Sequence, residues 1–271
     1  MHMIHLCFRI AITCSIILIA RHVCAAESST AFENALATDR PDNTESSQTV
    51  GKHRLQIETS VAITYDRANN ITTRTYNFPT LVRYGVINPL EFRIEGELFN
   101  IQTTTGSASE HGFSDVAFGI KVHLHDNVGW IPSCGVLARL SVPTGTTTFS
   151  SKAVEPIIKI LAEWALPAGF TFGTNLGANF LTKDATGDRF AQLLYTATVG
   201  HDIPGTHQRL RVFVENAGIV SVKPGKPNLY QFDAGMAFII TPNTQIDAAA
   251  QIGLNQAAPD IAGGVGFSVR M

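Results

Sequence analysis

Along residues 90–100 charged side chains occupy every second position: Glu91, Arg93, Glu95 and Glu97. In an extended chain alternate side chains share a face. These four then point one way, and Phe92, Ile94, Gly96 and Leu98 the other. The same parity assigns Glu58, Arg83, Asp115, Lys121, Arg139, Lys159, Glu163, Arg211, Glu215, Asp233 and Asp247 to polar rows of other segments. A ring of such charges inside a pore sorts ions by sign. Both signs occur here, so strong ionic selectivity is not indicated. Charges in a narrow interior must also pair, because an unpaired buried charge is costly. Salt bridges that fix strand register are therefore the competing reading, with Arg83 and Lys121 as the opposite charges beside the glutamate row.

Other chemistry is harder to build. A hydrolase needs a Ser nucleophile, a His base within reach and a group orienting the His. His111 and Ser114 are three apart and fall on opposite faces of an extended chain. No convincing triad emerges, and no catalytic residue is assigned. His123 and His125 share a face, but a metal site lacks a third ligand, so a wet pair near a rim is the expectation. No Gly-x-x-x-x-Gly-Lys phosphate loop occurs, and no cofactor is expected.

The elements that must position these residues are strands. Leu55, Ile57, Thr59, Val61, Ile63 and Tyr65 alternate with Gln56, Glu58, Ser60, Ala62, Thr64 and Asp66. A second and third run follow at 90–100 and 113–125. Further strands are predicted near 74–86, 135–143, 156–166, 170–181, 190–200, 209–220, 229–240, 244–254 and 261–270. That makes about twelve (ten to fourteen), each about 10 residues, the length of a tilted membrane-spanning strand. Tight turns at Asn88-Pro89, Asp126-Asn127, Pro167-Ala168-Gly169 and Thr241-Pro242-Asn243 alternate with longer polar links at 66–73, 102–112, 144–154, 182–189, 223–228 and 255–260. The link at 201–208 is long for its side. An antiparallel meander with one short-turn end and one long-loop end has this pattern.

A soluble sandwich or lipocalin-like barrel could use the same alternation with its apolar face inward. Three features favour a membrane barrel. The strands are long, since about five or six residues is usual in sandwiches. The polar rows carry Gly, Ser, Thr and Asn, as at Thr171, Gly173, Asn175, Gly177 and Asn179, rather than the Lys and Glu of a wetted face. Aromatics gather near strand ends: Tyr65, Tyr76, Tyr84, Phe92, Trp130, Trp164, Phe170, Phe180, Phe190 and Tyr230. The fold class expected is all-β: a closed antiparallel up-and-down transmembrane β-barrel. Charged residues are 15% of the 271, against about 25% in a typical soluble domain. This excludes a disordered chain, and with no basic run a nucleic-acid partner is not expected.

Residues 1–26 read as a signal peptide: Arg9, then an apolar stretch from Ile10 to Ala20, then small residues before Glu27. The stretch is shorter than the about 20 residues a spanning helix needs. Cleavage leaves Cys134 as the one cysteine, so no intrachain disulfide forms. Residues 27–52 lack strand pattern and are expected as a periplasmic N-terminal segment, a candidate partial plug, ahead of a barrel over 53–271.

The stretch Thr38-Asp-Arg-Pro-Asp-Asn-Thr-Glu-Ser46, with Gly51 and Leu55-Gln-Ile-Glu58, resembles the opening of the phenol-degradation meta-pathway family of transporter-like outer-membrane proteins. Leu81-Val-Arg-Tyr-Gly85, Phe113-Ser-Asp115 with Gly119 and Lys121, Pro143-Thr-Gly145, Asn175-Leu-Gly177 and Phe213-Val-Glu215 follow in order. The resemblance implies an outer-membrane barrel of transport role in a Gram-negative type envelope, with no defined solute. Met271 departs from the terminal aromatic that many such barrels carry.

The function expected is a passive, porin-like channel or transporter for small solutes, aromatic or hydrophobic ones among them. The alternatives are an outer-membrane enzyme such as a lipid hydrolase, and a non-conducting structural or adhesive barrel. Membrane lipid and the outer-membrane assembly machinery are the expected partners. Asp39, Arg40 and Asp42 are expected to contact the barrel at the periplasmic end, with Arg40 facing a lumen acid.

Overall fold

The computed structural model describes residues 35–182 and 189–271. The expected signal peptide, residues 27–34 of the N-terminal segment and the 183–188 part of one long link lie outside the described residues.

The strands are β1 (Leu55–Ala68), β2 (Ile71–Ile87), β3 (Leu90–Thr104), β4 (Glu110–Gly112), β5 (Val116–His125), β6 (Ser133–Val142) and β7 (Glu155–Ala165). They continue with β8 (Phe170–Thr182), β9 (Arg189–Asp202), β10 (Leu210–Ser221), β11 (Leu229–Thr241), β12 (Thr244–Gly253) and β13 (Ile261–Arg270). Each long strand pairs antiparallel with its sequence neighbours, and β1 pairs with β13, from Gln56 opposite Arg270 to Tyr65 opposite Ile261. The result is a closed twelve-stranded barrel; β4 is an extra three-residue strand on the far end of β3. Closure removes the edges that would leave backbone groups unpaired in lipid. The last residue takes part: the Met271 and Leu55 amides each donate to the other's carbonyl.

The two faces are the reverse of a soluble barrel. Phe92, Ile94 and Leu98 are 50%, 49% and 68% exposed, whereas Glu91 and Arg93 are 0% and 2%. Val61, Ile120, Ile160, Leu176, Val199, Met236 and Val265 carry the apolar exterior around the other strands. A charge in that outer band at mid-depth would cost about 2–4 kcal/mol.

Four details depart from simple alternation. The link expected at 66–73 is strand almost throughout; only Asn69 and Asn70 turn, with φ of 52° and 64°, which Asn tolerates. β3 carries a bulge opposite Asn77–Pro79, where Pro79 has no N–H to give the ladder. There Leu98 and Phe99 both point out and Asn100 turns inward, so inward parity changes within one strand. A second irregularity between His123 and His125 separates the expected pair: His123 reaches the Ser47 carbonyl and Asp126, while His125 is exposed at the rim. Finally, β5 begins at Val116. Asp115 therefore sits on no strand row; it accepts hydrogen bonds from the Gly145 and Ser151 amides and ties two long loops together.

Candidate functional site

The centre of the barrel is occupied by the chain's own N-terminal segment. It enters beside the β11–β12 turn, where the Leu36 amide donates to the Pro242 carbonyl. It leaves beside the β2–β3 turn, where Thr49 and Lys52 bond Asn88. Between these points residues 38–48 form a strap across the lumen, and Asp39, Thr44, Glu45, Ser46 and Ser47 are buried.

On one side the strap's carboxylates meet wall cations. Asp39 lies 2.9 Å from Arg93, 2.8 Å from Lys121 and 3.7 Å from Arg83. Burial pushes the Asp39 carboxyl up, but Arg83, Lys121 and Arg93 outweigh that and hold it well below the carboxylate range. Glu45 lies 2.7 Å from Lys159, 3.3 Å from Arg139 and 3.5 Å from Arg93. Burial is again opposed, here by Lys159, Arg139 and Arg93, and the Glu45 pKa is lowered to about 2. Arg83 also bonds Glu58 and Glu91, each at 2.9 Å, so the wall supplies part of the neutralisation itself. Lys121 turns to the strap: its ammonium donates to both Asp39 oxygens and to the Ser46 carbonyl.

On the other side the polarity is inverted. Wall carboxylates accept from the strap's backbone. Glu215 takes the Asn43 and Thr44 amides at 2.9 and 2.8 Å, and Glu163 takes the Ser47 amide at 2.6 Å. Asn175 clamps Glu45 from both ends of its peptide, accepting from its amide at 2.7 Å and donating to its carbonyl at 3.0 Å. Arg40 lies 3.4 Å from Asp247, and Asn43 bonds Asp233 at 2.6 Å. Among the described residues Asp42 forms no such close ion pair, although Arg211 lines the same vestibule. Burial raises its carboxyl well above the ordinary value, and Glu215 and Glu163 add to the rise.

Glycines on the inner wall make room for the strap. A Cβ at Gly135 would come 3.0 Å from the Ser47 carbonyl, at Gly173 3.0 Å from Thr44, and at Gly266 2.8 Å from Arg40. The strap divides the lumen into two vestibules. One of about 520 Å³ opens toward the short turns and one of about 560 Å³ toward the long loops, and Arg40 and Asp42 line both.

The sequence-derived candidates are thus distributed unevenly. Glu58, Arg83, Glu91, Arg93, Lys121, Glu215, Asp233 and Asp247 are buried inside the barrel. Glu95, Arg139 and Lys159 face the long-loop vestibule, as does Glu97, which accepts from Asn77. Glu163 faces the short-turn vestibule, and Arg211 sits half-exposed near that rim, 2.7 Å from Asp202. Sequence reading missed Asn175, Ser133 and Thr196 as strap partners. Asn175 and Thr196 fall within expected strands and Ser133 just before one, but neutral amides and hydroxyls carry no signal of a partner. Ser114 is tied up with backbone, accepting from the Glu97 amide. Among the described residues no group of three His, Cys, Asp or Glu is placed to hold a metal.

The fold has solved counterparts. The COG4313 outer membrane channel from Pseudomonas putida F1 superposes with a TM-score of 0.63 at 9% identity, over 86% of this chain and 99% of that one. The NanC porin gives 0.55 at 12%, over 80% and 100%. The translocator domain of the autotransporter NalP from Neisseria meningitidis gives 0.50 at 11%, over 80% and 88%. Among curated proteins none matches the chain. Residues 38–271 match the model of the family described as "Putative MetA-pathway of phenol degradation", and the chain belongs to that family.

Proposed function

We propose that this chain is an outer-membrane channel through which small solutes pass without energy input, its lumen narrowed by the N-terminal strap. The observation that carries the reading is the inversion of faces: an apolar exterior that only lipid can cover, around a charged interior with a vestibule at each end. The short-turn end is the periplasmic one, and the strap enters from that side. The likeness to an outer membrane channel and a porin supports the same reading at the level of fold. Each vestibule has room for a small molecule, small aromatic and hydrophobic compounds among them. An enzymatic role has less support, because Ser114 is committed to backbone and the interior histidine, His123, faces a carbonyl and a carboxylate rather than a serine.

Purified full-length protein in a planar bilayer tests this. Discrete single-channel steps, together with swelling of protein-loaded liposomes in small neutral solutes, are expected. A silent bilayer and liposomes that stay osmotically tight would reject the channel in favour of a structural barrel.

A further inference from the structure

The structure places one charge sign in a better position to meet a passing ion. The wall cations opposite the strap's carboxylates are sequestered. Arg83, Arg93 and Lys121 are almost fully buried, and each contacts Asp39. Arg139 and Lys159 are held by Glu45. The carboxylates are in excess where there is open space. Among the described residues, eight Asp or Glu side chains and four Lys or Arg line the long-loop vestibule, and four and three line the short-turn one. Asp39, Glu45 and Glu58 are matched by the buried cations, so the surplus on the long-loop side is carried by Asp42, Glu97 and Asp115.

Arg40 and Asp42 line both vestibules, so the two spaces approach each other across the Asp39-Arg40-Pro41-Asp42 stretch. Within that stretch Asp39 turns to the cationic strands β2, β3 and β5, whereas Arg40 faces Asp247 on the acidic arc of β10–β12. Two carboxylates of the arc are more than nine-tenths buried, and each has an oxygen without a hydrogen-bond partner: Asp233 Oδ1 and Asp247 Oδ2. Arg40 is the basic side chain at the crossing. Its side chain is 20% exposed, its Nε is unpartnered, and Gly266 leaves the space in which it lies beside Asp247.

We infer that the water-filled route passes the strap at the Arg40–Asp42 turn and favours cations over anions, with Arg40 limiting both the current and the preference. The inference rests on the channel reading and adds the class of solute that the route selects: small hydrated cations and neutral molecules, with anions held back. The physical cause is the sign of the field in a narrow, low-dielectric passage. Mixed charge along the sequence pointed to weak selectivity; pairing removes cations and acids alike, and the acids outside the pairs outnumber the cations outside them.

The test is the reversal potential of full-length protein in a planar bilayer under a KCl gradient. The expected potassium-to-chloride permeability ratio is roughly threefold or more. Arg40→Gln should raise the ratio about twofold and increase the unit current, since it removes the positive charge at the crossing. Glu97→Gln keeps the bond to Asn77 and should lower the ratio, giving a second readout in a variant that leaves the strap untouched. Chloride preference in the unmodified protein, or a reversal potential unmoved by both substitutions, would overturn the inference while leaving the channel intact. Absence of any current would overturn the channel reading, and the inference with it.

Discussion

The two halves of the lumen wall hold the same strap by opposite means. On β2–β7 side chains meet side chains: Asp39 and Glu45 each serve three cations. On the β7 and β10–β12 rows the wall offers carboxylates and the strap answers mainly with backbone amides, at Asn43, Thr44 and Ser47. A charge-to-charge contact fails sharply when one partner is removed, because the remaining charges stay buried. A carboxylate-to-amide contact survives loss of the charge, because a neutral carboxamide oxygen still accepts. The cationic half therefore fixes which residues the strap must carry, and the acidic half fixes the path of its backbone.

The largest effect expected from a single substitution is on the cationic side. Asp39→Ala leaves Lys121 without its carboxylate and Arg93 with only its longer contacts to Glu45 and Glu95, and should destabilise the strapped state by about 3–5 kcal/mol. Single-channel records should then show strap release as added noise or larger steps. Steps and noise indistinguishable from the unmodified protein would erase the distinction between the halves.

Acid should act on the same side, and only at low pH. Glu45 has a folded pKa of about 2 against an ordinary 4.5. Its contribution is fully present above about 4.5 and is lost as pH falls toward 2. Asp39 is lowered for the same reason. Asp42 works in the other direction: its raised carboxyl opposes the strapped state as pH rises from the ordinary carboxylate range. Conductance followed from pH 7 to 3 should show no strap release above pH 4.5; release near pH 6 would contradict the assignment of charge.

Glu215→Gln is expected to cost less, about 1–3 kcal/mol, since the carboxamide oxygen still accepts from one of the Asn43 and Thr44 amides and only the other loses its acceptor. A loss equal to that of Asp39→Ala in detergent melting experiments would show that the acidic half also depends on charge. Gly135→Ala, which pushes a methyl group at the Ser47 and Val122 carbonyls, should cost about 1–2 kcal/mol and disturb the strap without altering any charge. Asn70→Ala is the smallest: about 1 kcal/mol from a turn residue at φ 64°, with conductance unchanged because the turn is remote from the strap.

The barrel was legible because lipid outside and charge inside impose a two-residue period on every spanning strand. The alternation at Leu55–Tyr65 and Glu91–Glu97 carried that information directly. It failed where the backbone itself slips. The bulge opposite Pro79 turns out both Leu98 and Phe99, and no side-chain pattern marks the extra residue. Asn69-Asn70 was absorbed into a longer polar link, because the Thr-rich flanks look like loop although they pair as strand. The strap was visible only as a segment without period. Its acids and Arg40 suggested contact with the wall, but its course depends on backbone amides meeting Glu163 and Glu215, and every residue type has such an amide. Gly173 stands in a polar row of the sequence; its use, with Gly135 and Gly266, as clearance for a second chain segment needed the fold.

The central claim is that the strap divides the lumen. Single-channel conductance of the full chain against a form lacking residues 36–48, with both reversal potentials in a KCl gradient, addresses it most directly. Removing the strap should enlarge the unit conductance several-fold, by joining the two vestibules, and should weaken cation preference, because Arg93, Lys121, Arg139 and Lys159 lose Asp39 and Glu45. Equal conductance and equal selectivity in the two forms would contradict it.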